Sequence, residues 1–68
     1  MIGHDLTMRE LKVLTLLSRG RTAGEIGAIL SITPRTASIL IQQVTFKLGA
    51  SDSREVVVIA IRDGLVIR

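Results

Sequence analysis

Cysteine is absent from the chain, which excludes disulfides, thiolate metal sites and cysteine nucleophiles and permits a reducing compartment. Tryptophan and tyrosine are absent as well, and Phe46 is the only aromatic. A core must therefore be assembled from Leu, Ile, Val and Ala, a composition suited to short packed helices. Long hydrophobic runs are also missing. The longest, Val56 to Ile61, is far too short to span a bilayer, and no basic segment followed by an apolar stretch opens the chain. A soluble, cytoplasmic domain with no membrane association is expected. Histidine occurs once, at His4, without a partner at triad or metal-ligand spacing, and reads as a leader or tag residue. The six acids, Asp5, Glu10, Glu25, Asp52, Glu55 and Asp63, read as helix caps and surface charges, with no pair arranged for general acid and base work. The glycines are isolated and build no phosphate-binding loop. No catalytic residue, cofactor or metal site is expected, and the chain does not read as an enzyme.

What is present is one domain's worth of apolar residues and a modest positive charge. At 68 residues and 47% hydrophobic composition the chain holds one core and stands near the lower edge of independent stability. Its formal charge of +3 and isoelectric point near 10.7 suit a polyanionic partner but decide nothing alone. No internal repeat, low-complexity tract or internal linker interrupts the sequence. Residues 1–5 read as a leader or linker remnant and 6–68 as the domain.

Helix signals follow one another at short intervals. Thr7 and Glu10 form a capping box, in which a hydroxyl and a carboxylate satisfy each other's orphan amides. That opens a first helix with Leu11, Val13, Leu14, Leu16 and Leu17 along its buried stripe, closed by Arg19-Gly20. Thr22 and Glu25 repeat the box for a short second helix to about Leu30, with Ile26, Ile29 and Leu30 facing inward. Gly24 and Gly27 weaken that helix intrinsically, so packing must hold it. Ser31-Ile32-Thr33 is the turn, Thr33 caps a third helix, and Pro34 takes its first position, where a missing amide costs little. This helix runs to about Leu48, with Gly49 as its stop. Ser51 or Asp52 caps a fourth helix reaching Asp63, and Gly64 ends it. The expected fold is all-α, a four-helix arrangement containing a helix-turn-helix, whose usual work is reading DNA.

On a wheel of about 100° per residue, Ala37, Leu40, Ile41, Val44 and Leu48 form the core face of the third helix. Arg35, Ser38, Ile39, Gln42, Thr45 and Phe46 occupy the opposite sector, with Thr36, Gln43 and Lys47 on one flank. Arg35, Ser38, Gln42 and Thr45 can reach base edges or phosphates, since a guanidinium matches guanine and a glutamine amide matches adenine. Ile39 and Phe46 stand out on this face as an apolar pair, suited to a protein contact or to thymine methyl groups. In the fourth helix Val57, Ala60 and Ile61 share a core-facing side. Val58 and Ile59 then point outward, flanked by Glu55 and Arg62, and imply a dimer contact through these four residues.

Leu6-Thr7, Arg9-Glu10, Val13-Leu14, Gly20, Glu25-Ile26, Leu30, Ile32, Thr36, Ile41, Lys47-Leu48-Gly49 and Gly64-Leu65-Val66 lie in an order that resembles the C-terminal helix-turn-helix domain of LuxR-type (GerE-like) transcriptional regulators. The resemblance extends from Leu6 to Ile67. It implies a four-helix domain whose third helix enters the major groove of double-stranded DNA and whose fourth mediates a homodimer. It also implies an N-terminal sensor domain in full-length members. Carried onto this chain, Thr36 and Lys47 become phosphate contacts, Arg35 and Ser38 approach bases, and Thr33 and Gln42 complete the DNA-binding set. Four positions depart from the family pattern. Polar or basic residues are common where Ser38 and Leu40 stand, a basic residue where Phe46 stands, and arginine where Ser53 precedes Arg54. These departures reduce phosphate neutralisation, on which affinity depends steeply. Two functions therefore remain open: the DNA-binding output domain of a transcription regulator, or a protein-interaction module on the same fold that uses Ile39 and Phe46.

Overall fold

A computed structural model describes residues 5–66, so His4, the rest of the leader before Asp5, and Ile67 lie outside the described residues. Four helices follow in order: α1 Met8–Ser18, α2 Ala23–Leu30, α3 Pro34–Lys47 and α4 Ser53–Arg62, and no strand occurs among the described residues. Their starts are written in short polar side chains. The Thr7 hydroxyl accepts from the Glu10 amide at 3.1 Å while the Thr7 amide donates to Glu10 Oε1 at 2.8 Å. Thr22 and Glu25 repeat this at 3.2 and 2.9 Å. Losing such a cap costs about 1 kcal/mol. At α4 the cap is Asp52, whose Oδ1 accepts from the Glu55 amide at 2.9 Å. Ser51 is held differently, through its amide and hydroxyl donating to Glu55 Oε1.

The turn between α2 and α3 is tight because Gly27 has no side chain. A Cβ there would lie 2.8 Å from the Ile32 carbonyl oxygen and 3.2 Å from the Pro34 nitrogen. The Ile32 amide instead donates to the Gly27 carbonyl at 2.9 Å. Ser31 closes α2 in the left-handed region at φ 60, a conformation that costs a residue bearing Cβ about 1–2 kcal/mol.

Two clusters of buried side chains share α1 and α3. One joins Leu14, Val44 and Leu48 to Val56, Ile59, Ala60 and Val66 on the α4 side. The other joins Val13, Ile26 and Ala37 on the α2 side. Helices α2 and α4 do not touch, so α1 and α3 form a central pair flanked on opposite sides. The expected stripe on α3 is observed: Ala37, Val44 and Leu48 are buried, and Leu40 and Ile41 pack half-buried against the second cluster.

Three expectations are corrected. Ile29 does not face inward but is 54% exposed, because this eight-residue helix offers the core one side only, the one carrying Ile26 and Gly27. Glu10 is not a surface charge: its side chain is buried. In α4 the core face is Val56, Ile59 and Ala60, with Val57 and Ile61 only half-buried. Ile59 is thus part of the core and not an outward-facing side chain. A continuous apolar run carries no polar break to set its helical phase, and here contact with α1 and α3 set it.

Candidate nucleic-acid interface

Helix α2, the turn and α3 leave the outer side of α3 to solvent. Thr33, Arg35, Ser38, Gln42 and Lys47 are exposed there and Thr36 is half-buried, so all six expected contact residues remain reachable on one helix and its cap. Its N-terminal end is chemically distinct. The first turns of α1, α2 and α4 contain Glu10, Glu25 and Glu55, whereas that of α3 contains no acid. The partial positive charge at a helix N-terminus is therefore uncompensated beside Arg35. The Thr33 hydroxyl accepts from the Thr36 amide at 3.1 Å and donates to the Thr36 hydroxyl at 2.9 Å. This chain of bonds leaves the Thr36 proton free to donate outward, the polarity a phosphate requires.

Two residues at the other end behave differently from expectation. Thr45 is half-buried and its hydroxyl donates to the Ile41 carbonyl at 2.7 Å, so its proton is occupied by its own helix. Lys47 is not a free cation: its ammonium donates to Glu10 Oε1 at 2.8 Å and to the Asp5 carbonyl at 3.3 Å. The hydrogen bond from Lys47 and that from the Thr7 amide hold the Glu10 carboxyl below the usual carboxylate range, against the opposing effect of burial. Sequence spacing could not have exposed this pair, since its members are 37 residues apart.

A groove between the start of α1 and the outer face of α3 brings Arg9 to the same surface as Ile39, Gln42, Gln43, Phe46 and Lys47. Arg9 and Gln43 were not among the expected contacts. Only the packing of α1 against α3 brings Arg9 to this surface, and its place in the sequence carries no signal for it. Phe46 is 86% exposed, the most open large apolar side chain of the group.

Residues 4–60 match the family model described as GerE, bacterial regulatory proteins, luxR family. The chain belongs to the luxR family. Over 61 residues it is 44% identical to the transcriptional activator protein SolR of Ralstonia solanacearum, covering 90% of this chain and 26% of that protein. Over 63 residues it is 43% identical to the transcriptional regulatory protein LiaR of Bacillus subtilis, covering 93% of this chain and 30% of that protein. A solved structure of the transcription factor GerE superposes with a TM-score of 0.84 at 29% identity, covering 91% of this chain and 92% of that one. The luxR-type helix-turn-helix comprises α2, the turn through Thr33, and α3. The family is one of transcription regulators, not an enzyme class. The chain spans under a third of the length of SolR and LiaR. Among the described residues no group of His, Cys, Asp or Glu could hold a metal ion, and no helix is long and apolar enough to cross a membrane.

Of the four residues expected at a dimer contact, Val58 alone is an exposed apolar side chain, at 60%. Glu55 is engaged with Ser51, and Arg62 Nε donates to Asp63 Oδ1 at 3.2 Å.

Proposed function

We propose that this chain is the DNA-binding output domain of a cytoplasmic transcription regulator, that α3 lies in the major groove, and that two copies pair for a two-fold-related operator. The observation that carries this reading is the outer side of α3: an acid-free N-terminus, an unpaired Thr36 donor, and exposed Arg35, Ser38 and Gln42 on one helix. Helix entry into the major groove is the geometry this motif serves. Arg35 and Gln42 supply the side-chain chemistry for guanine and adenine edges, while Thr33, Thr36 and Lys47 lie where backbone contacts fix register. The domain performs no catalysis, and a sensor domain on the same polypeptide supplies the signal.

Selection of bound sequences from random DNA, followed by titration of the enriched duplex, tests this. Arg35→Ala or Ser38→Ala is expected to relax preference at particular base pairs, by about 1–3 kcal/mol for a good bidentate contact. Failure of the parent to bind any duplex at low salt better than a neutral control protein overturns the reading.

The exposure of Phe46 and Ile39, 86% and 45%, favours a second reading, a protein-interaction module in which these two side chains anchor a partner. The same residue separates the two. Phe46→Arg tightens duplex binding if α3 contacts phosphates, whereas Phe46→Ala abolishes partner capture if the face serves a protein.

A further inference from the structure

Glu10 does more than cap a helix. Glu25 makes the same two capping bonds for α2 while exposed, so capping alone does not require burial. Glu10 is 3% exposed and is the one buried charged residue among the described residues. Its carboxylate also holds the ammonium of Lys47 at 2.8 Å, tying the first turn of α1 to the last turn of α3. The same ammonium donates to the Asp5 carbonyl at 3.3 Å. An ammonium has three N–H donors. Two are thus taken by the protein and one remains, on a side chain that is 35% exposed.

We propose that Glu10 is a positioning residue for nucleic-acid binding: through its ion pair it fixes the Lys47 ammonium in one orientation and leaves a single donor for a backbone phosphate. The proposal rests on the reading of α3 as the DNA-contacting helix. A free lysine loses rotamer freedom when it meets a phosphate, whereas the folded domain has already fixed Lys47. The carboxylate also cancels part of the local positive charge. Positioning and long-range attraction therefore predict opposite signs when Glu10 is neutralised, and that opposition makes the proposal testable.

A random-sequence duplex serves as the probe, because a phosphate contact is independent of sequence. It is titrated at one low salt concentration with the unaltered chain, Glu10→Gln and Glu25→Gln. Both variants raise the net charge equally. Glu25→Gln is expected to bind as tightly as the parent or more tightly, whereas Glu10→Gln binds about threefold or more weakly despite its added charge. Lys47→Gln is expected to weaken the parent but to have little further effect on Glu10→Gln, a coupling that a purely structural role of Glu10 would not produce. Tightening by Glu10→Gln to the level of Glu25→Gln overturns the proposal and leaves the DNA reading intact. No duplex binding by the unaltered chain overturns both. If Glu10→Gln is unfolded at the assay temperature, the ammonium resonance of Lys47 in the unaltered chain decides. A slowly exchanging signal that shifts on adding duplex supports the proposal, and a signal averaged with solvent overturns it.

Discussion

Two glycines three positions apart in α2 carry opposite consequences for the same substitution. At Gly24 an added Cβ would meet only the Thr22 hydroxyl at 3.9 Å, so Gly24→Ala is expected to raise stability by about 0.5–1 kcal/mol through helix propensity and unfolded-state entropy. At Gly27 the same Cβ would lie 2.8 Å from the Ile32 carbonyl, backbone that cannot rotate away. Gly27→Ala is expected to destabilise by about 1–3 kcal/mol, the range for overpacking. Paired thermal melts check both; a higher melting temperature for Gly27→Ala would show that the α2–α3 turn can open without loss. The sequence marks both positions as weak points in a helix. Only the approach of the turn distinguishes them.

At the scale of the element, α4 shows how little periodicity fixes when a run is apolar throughout. Its glycine at Gly64 and its existence as a helix are legible in the sequence, which leaves the cap open between Ser51 and Asp52, and the Asp52 carboxylate takes that place. The phase of the helix is not legible there: spacing alone turns Ile59 outward, whereas packing buries it. A dimer contact through α4 must therefore centre on Val58, not Ile59. Val58→Glu is expected to leave the fold intact and abolish self-association. Ile59→Ala is expected to lose about 2–5 kcal/mol of stability as a large-to-small core change. Sedimentation together with thermal melts separates the two effects. An unaltered chain that stays monomeric at high micromolar concentration would remove the dimer.

At the scale of the whole molecule, the Glu10–Lys47 pair joins the start of one central helix to the end of the other and makes folding sensitive to pH. The Glu10 carboxyl is held below its ordinary range by Lys47 and by the Thr7 amide. A depressed folded value means that the unfolded chain takes up the proton first as acid is added. Its stabilising contribution is therefore complete above the ordinary carboxylate value and is lost as pH falls through that value toward the lower folded one. Melting temperatures of the parent are expected to fall over this acid window, and those of Glu10→Gln to fall less. Parallel curves would show that Glu10 is not the responsible group.

By itself the sequence determined the four helices, the caps that start them, the polar outer side of α3 and membership of the luxR family. The helices and their caps rest on residues within a few positions of one another, where local hydrogen bonding and helical spacing dictate the outcome, and the family likeness rests on the order of short motifs along the chain. The tertiary structure decided the phase of α4, the burial of Glu10, the engagement of Lys47, the arrival of Arg9 at the α3 surface and the need for glycine at position 27. Those depend on which helix faces meet, and what decides that is the joint packing of two side-chain clusters around α1 and α3, a property of the chain as a whole.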